Sequence, residues 1–155
     1  MPRICFGGGM TRQPLADVPI HSAADLTARW ASVLDPPIFG ARSLWLMWID
    51  ADGLMLPVIV PINDIPLTAD REMLEGLRRV HIGVAQEQLP RGGALAMALC
   101  RPGGPQVTKG DEAWAESLRE ALDGVPVAPL WTLHLAAAGH VTEIVLPPIR
   151  VGDLD

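Results

Sequence analysis

The stretch Ala94-Leu95-Ala96-Met97-Ala98-Leu99-Cys100-Arg101-Pro102-Gly103-Gly104-Pro105-Gln106-Val107-Thr108-Lys109-Gly110-Asp111 decides how this chain is read. Ala94 to Cys100 is wholly apolar and follows the break Gly92-Gly93, the pattern of a short buried strand. Arg101 to Val107 is a loop rich in glycine and proline. Thr108 then stands three residues before Asp111, a hydroxyl N-cap with an acid at N3, which opens a helix running to Asp123. Trp114, Leu118, Ala121 and Leu122 line the inner face of that helix, and Gly124 suits the position just beyond its end.

Upstream, Ser22 caps a helix with Asp25 at N3 and Leu26, Trp30, Val33 and Leu34 at helical spacing; Asp35-Pro36-Pro37 ends it, because the residue before proline avoids the α region. Ser43 to Asp50 contains the unbroken run Leu-Trp-Leu-Met-Trp-Ile, which suits a strand covered on both faces. Trp45 and Trp48 lie three apart on it and therefore face opposite sides, while Trp30, Trp114 and Trp131 fit core packing. Asp50-Ala51-Asp52-Gly53 is a hairpin turn. The return strand, Leu54 to Ile62, carries Pro57 and Pro61 and is therefore expected at an edge or bulged. Thr68 is read as the cap of a long helix from Ala69 to Gln88, with Met73, Leu77, Val80 and Val84 as its apolar stripe. Downstream, Pro129 to Ala136 is a strand, Ala138-Gly139-His140 a turn, and Val141 to Leu146 the last strand. The order α-β-β-α-β-α-β-β predicts an α/β (α+β) chain, one mixed sheet packed with helices. Residues 1–18 read as a leader, 19–147 as one domain and 148–155 as a tail.

Composition narrows the function. The chain has 155 residues, 49% hydrophobic and 19% charged, which excludes a disordered chain or a coiled coil. Its net charge is −6, and Arg78-Arg79 is its one adjacent basic pair, so neither nucleic acid nor an anionic membrane surface is favoured as a partner. Eleven of the twelve basic residues are Arg, which reads first as the codon bias of a GC-rich bacterial genome. The two cysteines, Cys5 and Cys100, cannot build a disulfide framework, and a reducing cytoplasm is expected. The apolar run Leu54 to Ile62 is far short of the roughly 18 residues of a membrane helix, and Met1 to Met10 contains no signal-peptide core.

Several stretches, taken in order, resemble the RadC-type JAB/MPN domain, a family that includes zinc-dependent isopeptidases. His21-Ser22-Ala23-Ala24-Asp25-Leu26 is similar to its opening helix and Ser43 to Gly53 to its first hairpin strand. Leu99-Cys100-Arg101-Pro102-Gly103-Gly104 stands where the family has His-x-His-Pro-Ser-Gly, and Thr108-Lys109-Gly110-Asp111 where it has Ser-x-x-Asp, with one residue fewer in the loop. Leu133-His134-Leu135 with Gly139-His140 resembles its later strand and hairpin. The resemblance spans His21 to Leu146 and implies the JAB/MPN (cytidine-deaminase-like) architecture.

In active members two histidines and the aspartate bind zinc, and a glutamate from an earlier strand serves as base. Here the histidine positions are Leu99, which has no donor atom, and Arg101, whose guanidinium offers no lone pair. Asp111 alone remains, and no Glu lies between Ser43 and Asp70. Cys100, on the opposite strand face, reads as a small core residue. No catalytic residue, metal or cofactor is therefore assigned. Arg101 has two readings: it places its cation beside Asp111, where the metal would sit, or it is simply a loop arginine. Arg101, Thr108, Asp111 and His134 are the candidate binding residues, although a histidine inside an apolar strand is more often a hydrogen-bonded core residue. His81 and His140 are read as packing or surface residues.

These residues favour a non-catalytic scaffold or protein-interaction module with a protein partner or a second copy as its ligand, and the strand at 54–62 as the candidate surface. Two alternatives stay open: a metallopeptidase with a rearranged site around Asp111 and His134, or a small-ligand or nucleotide binder using the 101–111 loop.

Overall fold

The computed structural model of the chain describes residues 18–123, 125 and 130–145. The leader before Val18, Cys5, Gly124, the strand start at Pro129, the strand end at Leu146 and the tail lie outside the described residues. The elements are α1 (Ala23–Val33), β1 (Ser43–Asp50), β2 (Met55–Asn63), α2 (Arg71–Gln88), β3 (Gly93–Cys100), α3 (Lys109–Leu122), β4 (Leu130–Ala137) and β5 (His140–Val145). This is the expected order. The strands form one mixed sheet, β2-β1-β3-β4-β5, in which only β3 and β4 run parallel. The crossover between that parallel pair is α3, as a parallel connection requires.

Two sets of side chains divide the helices between the faces of the sheet. Leu44, Leu46, Trp48, Leu95, Met97, Leu99, Trp131 and Leu133 point to the side covered by α2 and α3. Met47, Ile49, Ala96, Ala98, Cys100 and Ala136 point to the other side, against Leu26, Trp30 and Leu34 of α1 and its cap. The run Ala94 to Cys100 writes this division in sequence. Its leucines and methionine face the two-helix layer, and its alanines face the single helix, where small side chains let α1 lie close to the strands.

Local chemistry explains most boundaries. The Ser22 hydroxyl accepts from the Asp25 N–H at 3.0 Å and starts α1. The Asp25 carboxylate accepts from the His21 N–H, one residue before the cap. The β1–β2 turn draws on Asp50, whose Oδ1 accepts from the N–H groups of Asp52 and Leu54, each at 2.9 Å. Strand β2 is an edge strand with a register shift opposite Met47–Ile49, as its two prolines required. Pro61 and the residues after it stay in register with β1, whereas Pro57 falls within the register shift. Ala138 and Gly139 both have positive φ, 52° and 83°, which is the backbone that a two-residue hairpin needs. At Gly93 a Cβ would run into the carbonyl oxygen of Ile49, so only glycine fits where β3 enters beside β1.

Two expectations need correction. The cap of α2 is Asp70, which accepts from the Glu72 N–H at 2.9 Å; Thr68 and Ala69 precede the helix. The Leu67 carbonyl is engaged by the Trp114 indole N–H at 3.0 Å, which ties this segment to α3 instead. Val80 is 46% exposed, and the buried stripe runs Leu77, His81, Ala85. His81 holds the inward position because the buried Trp48 indole N–H needs an acceptor there, and His81 Nδ1 supplies it at 3.1 Å. Trp48→Phe removes that donor and, because the benzyl ring is smaller than the indole, leaves a small cavity in the core. Urea unfolding is expected to show a loss of about 2–4 kcal/mol, and an unchanged midpoint would show that neither the bond nor the packing contributes.

The other tryptophans fall as read. Trp30, Trp114 and Trp131 are buried, and Trp45 is half-buried on the α1 side with its N–H on Ser43 Oγ at 3.2 Å.

Candidate functional site

The C-terminal end of β3 delivers Arg101 to the N-terminus of α3. Leu99 and Arg101 lie on the face covered by α2 and α3, and Cys100 lies on the other, because successive strand residues alternate. Leu99 is fully buried in the apolar layer and brings no donor to the site. Burial pushes the Cys100 thiol up to about 12, so it is a neutral core residue at ordinary pH.

Arg101 and Asp111 form a buried ion pair, with side chains 4% and 0% exposed. Arg101 Nε donates to Asp111 Oδ1 and Nη2 donates to Oδ2, each at 2.8 Å, the parallel two-bond geometry of guanidinium on carboxylate. The remaining donors go to the loop itself. Nη1 reaches the carbonyls of Pro102 at 2.9 Å and Gly104 at 3.0 Å, and Nη2 reaches the carbonyl of Gln106 at 2.9 Å. All five guanidinium N–H groups therefore have an acceptor. Gly103 makes this wrap possible. Its φ is +100°, and a Cβ there would stand 3.1 Å from Arg101 Nη1.

Asp111 has a second task. Its Oδ2 accepts from the Thr108 N–H at 2.9 Å while Thr108 Oγ1 accepts from the Asp111 N–H at 3.1 Å, a reciprocal capping box that starts α3. Burial by itself would raise the carboxyl's pKa. The hydrogen bonds from Arg101, the Thr108 N–H and the adjacent positive charge outweigh that and hold it below the usual carboxylate value. The pair is thus ionised at neutral pH, with a fixed cation enclosed by two carboxylate and three carbonyl oxygens.

His134 lies elsewhere. It is fully buried on β4, on the α1 side of the sheet, with Nε2 2.9 Å from Thr27 Oγ1 of α1. The Thr27 hydroxyl donates to Glu143 of β5 at 3.3 Å, so its oxygen is left to accept from Nε2 and the Nδ1 lone pair has no partner. Burial pulls His134 down to about 4, which keeps it neutral.

Of the four candidate binding residues, then, the fold brings Arg101, Thr108 and Asp111 together and leaves His134 across the sheet. Among the described residues, no three His, Cys, Asp or Glu side chains are grouped closely enough to hold a metal ion. A zinc centre does not fit these residues, because Leu99 donates nothing, Arg101 is itself the cation and the Asp111 oxygens are engaged. Among the described residues no helix is long and apolar enough to cross a membrane.

Of the two sequence readings of Arg101, the structure has the pair with Asp111, while the carbonyl cage had no counterpart in the sequence reading. Its acceptors are backbone atoms, and the only signal was the turn chemistry of Pro102, Gly103 and Pro105. No family model, curated protein or solved structure matches this chain.

Proposed function

We propose that the chain is a non-catalytic relative of the RadC-like JAB/MPN domain and serves as a protein-interaction or scaffold module. The observation that supports this most is the place of Arg101: its guanidinium binds the one retained acid edge-on through Nε and Nη2, at the strand end and helix start where the resemblance expects a metal. The element order and the mixed sheet with one parallel pair are compatible with that architecture. A buried carboxylate that loses a metal is left uncompensated, and a guanidinium from ten residues earlier repairs the charge and the hydrogen bonds at once. A module of this kind keeps its shape without chemistry, and its ligand is another protein or a second copy of the chain.

Metal analysis of the purified full chain tests the proposal. Less than a tenth of an equivalent of zinc is expected, unchanged by Asp111→Asn. Stoichiometric zinc that Asp111→Asn removes would favour a working metal site instead and overturn the proposal.

A further inference from the structure

A second polar site lies at the same end of the sheet, on the opposite face from the ion pair. Ser43 opens β1 directly opposite Cys100 of β3 and Asn63 of β2, so the end of the sheet that carries the Arg101 loop continues onto this face. There a cavity of about 360 Å³ is lined by Phe39, Arg42, Ser43, Trp45, Asn63 and Asp64, among others. Its volume falls at the lower end of the range of small-molecule sites.

Three arginines among the described residues are not exposed: Arg29, Arg42 and Arg101. Arg29 donates to the Val18 carbonyl at 2.7 Å, and Arg101 is saturated. Arg42 differs, because its Nη1 is covered and has no acceptor. Asp64 lines the same cavity, yet the two charges make no ion pair. A covered guanidinium nitrogen without an acceptor costs free energy that an incoming acceptor would return. The walls also say what the rest of the ligand is like. Phe39 and the half-buried Trp45 offer apolar and aromatic surface, and Trp45 keeps its own N–H on Ser43. At the mouth, the exposed Asp64 carboxylate opposes a second negative charge.

We propose that this cavity binds a small monocarboxylate with an apolar or aromatic body, its carboxylate drawn to the Arg42 guanidinium and its body against Phe39 and Trp45. The guanidinium turns toward the cavity as the ligand enters, which gives Nη1 the acceptor it lacks. Asp64 makes the site prefer one negative charge to two, so carboxylates bind more tightly than phosphate esters.

The test is a titration of the isotopically labelled full chain by ¹H–¹⁵N NMR with three probes that share a phenyl body: phenylacetate, phenylacetamide and phenyl phosphate. Phenylacetate is expected to move the Trp45 indole and the Ser43 and Asn63 amide signals saturably. Phenylacetamide, which lacks the charge, and phenyl phosphate, which carries a second one, are expected to bind at least about tenfold more weakly. Arg42→Gln should weaken phenylacetate by about tenfold or more, and Arg42→Lys, which keeps the charge without the fork, by less. The Arg42→Lys spectrum also serves as the check that the fold is intact. No saturable shift with phenylacetate, equal binding of the amide, tighter binding of the phosphate ester, or indifference to Arg42→Gln would each overturn the proposal.

Discussion

Arg101→Ala is expected to lower the unfolding free energy by about 3–5 kcal/mol, the usual cost of breaking a buried pair from one side. For a chain of this length that is a fall of about 10 °C in melting temperature. The cost has three parts in this structure: Asp111 is left charged and buried, three loop carbonyls lose their donor, and the loop that leads into α3 loses its centre. Asp111→Ala should cost a similar amount, because it strands the guanidinium and removes the capping acid together. The double replacement Arg101→Ala with Asp111→Ala should cost clearly less than the two single losses added. It leaves no buried charge, and Pro102, Gly104 and Gln106 are exposed residues whose carbonyls water can reach. Urea unfolding of the four proteins gives the coupling directly. Additive losses would mean that the two side chains are not acting on each other.

The second large effect belongs to pH. The His134 pKa stands at about 4 in the fold against roughly 6.5 in the unfolded chain. Between those values the unfolded chain holds more protons than the folded one, so stability rises with pH across that window. The contribution is complete above about pH 6.5, falls as the pH drops toward 4, and amounts to about 3 kcal/mol. Geometry gives the cause. Nδ1 has no acceptor to receive a proton's hydrogen bond, and Ala98 of β3 stands beside His134 in the sheet. Below this window Asp111 adds to the loss, since its lowered pKa means that protonation undoes the ion pair only at still lower pH. Unfolding of the wild-type chain and of His134→Gln, measured at steps from pH 7 to pH 4, separates the histidine from other titrations. The variant should show a slope flatter by this amount, and parallel slopes would refute the assignment.

How far the sequence could be read follows from where each interaction lives. Apolar runs, caps and turns are local, and they located eight elements in the right order. Strand alternation also placed Cys100 on the face opposite Leu99 and Arg101. The α2 start was misplaced because Thr68 and Asp70 are both competent caps, and the choice fell to a tertiary contact, the Trp114 indole on the Leu67 carbonyl. Val80 and His81 were exchanged for the same kind of reason, since the need of Trp48 for an acceptor does not show in a hydropathy pattern. The Arg101–Asp111 pair was legible because both residues flank one short loop. The Thr27–His134 bond joins residues 107 apart, and no local rule announces it. Arg42 gave no signal either; it is one arginine before a strand until the fold closes a cavity around it.

Five oxygens around Arg101 form a cation site that a side chain fills. Chemical rescue tests it most directly. Arg101→Ala removes the cation and leaves the cage, and free guanidinium can enter the space. At guanidinium ten times its dissociation constant, the variant should regain about 1.4 kcal/mol, or several degrees of melting temperature, at concentrations too low to denature. Urea, of similar shape and no charge, should give no gain, and wild type should gain nothing from either. A variant that responds to guanidinium no differently from wild type would contradict the claim.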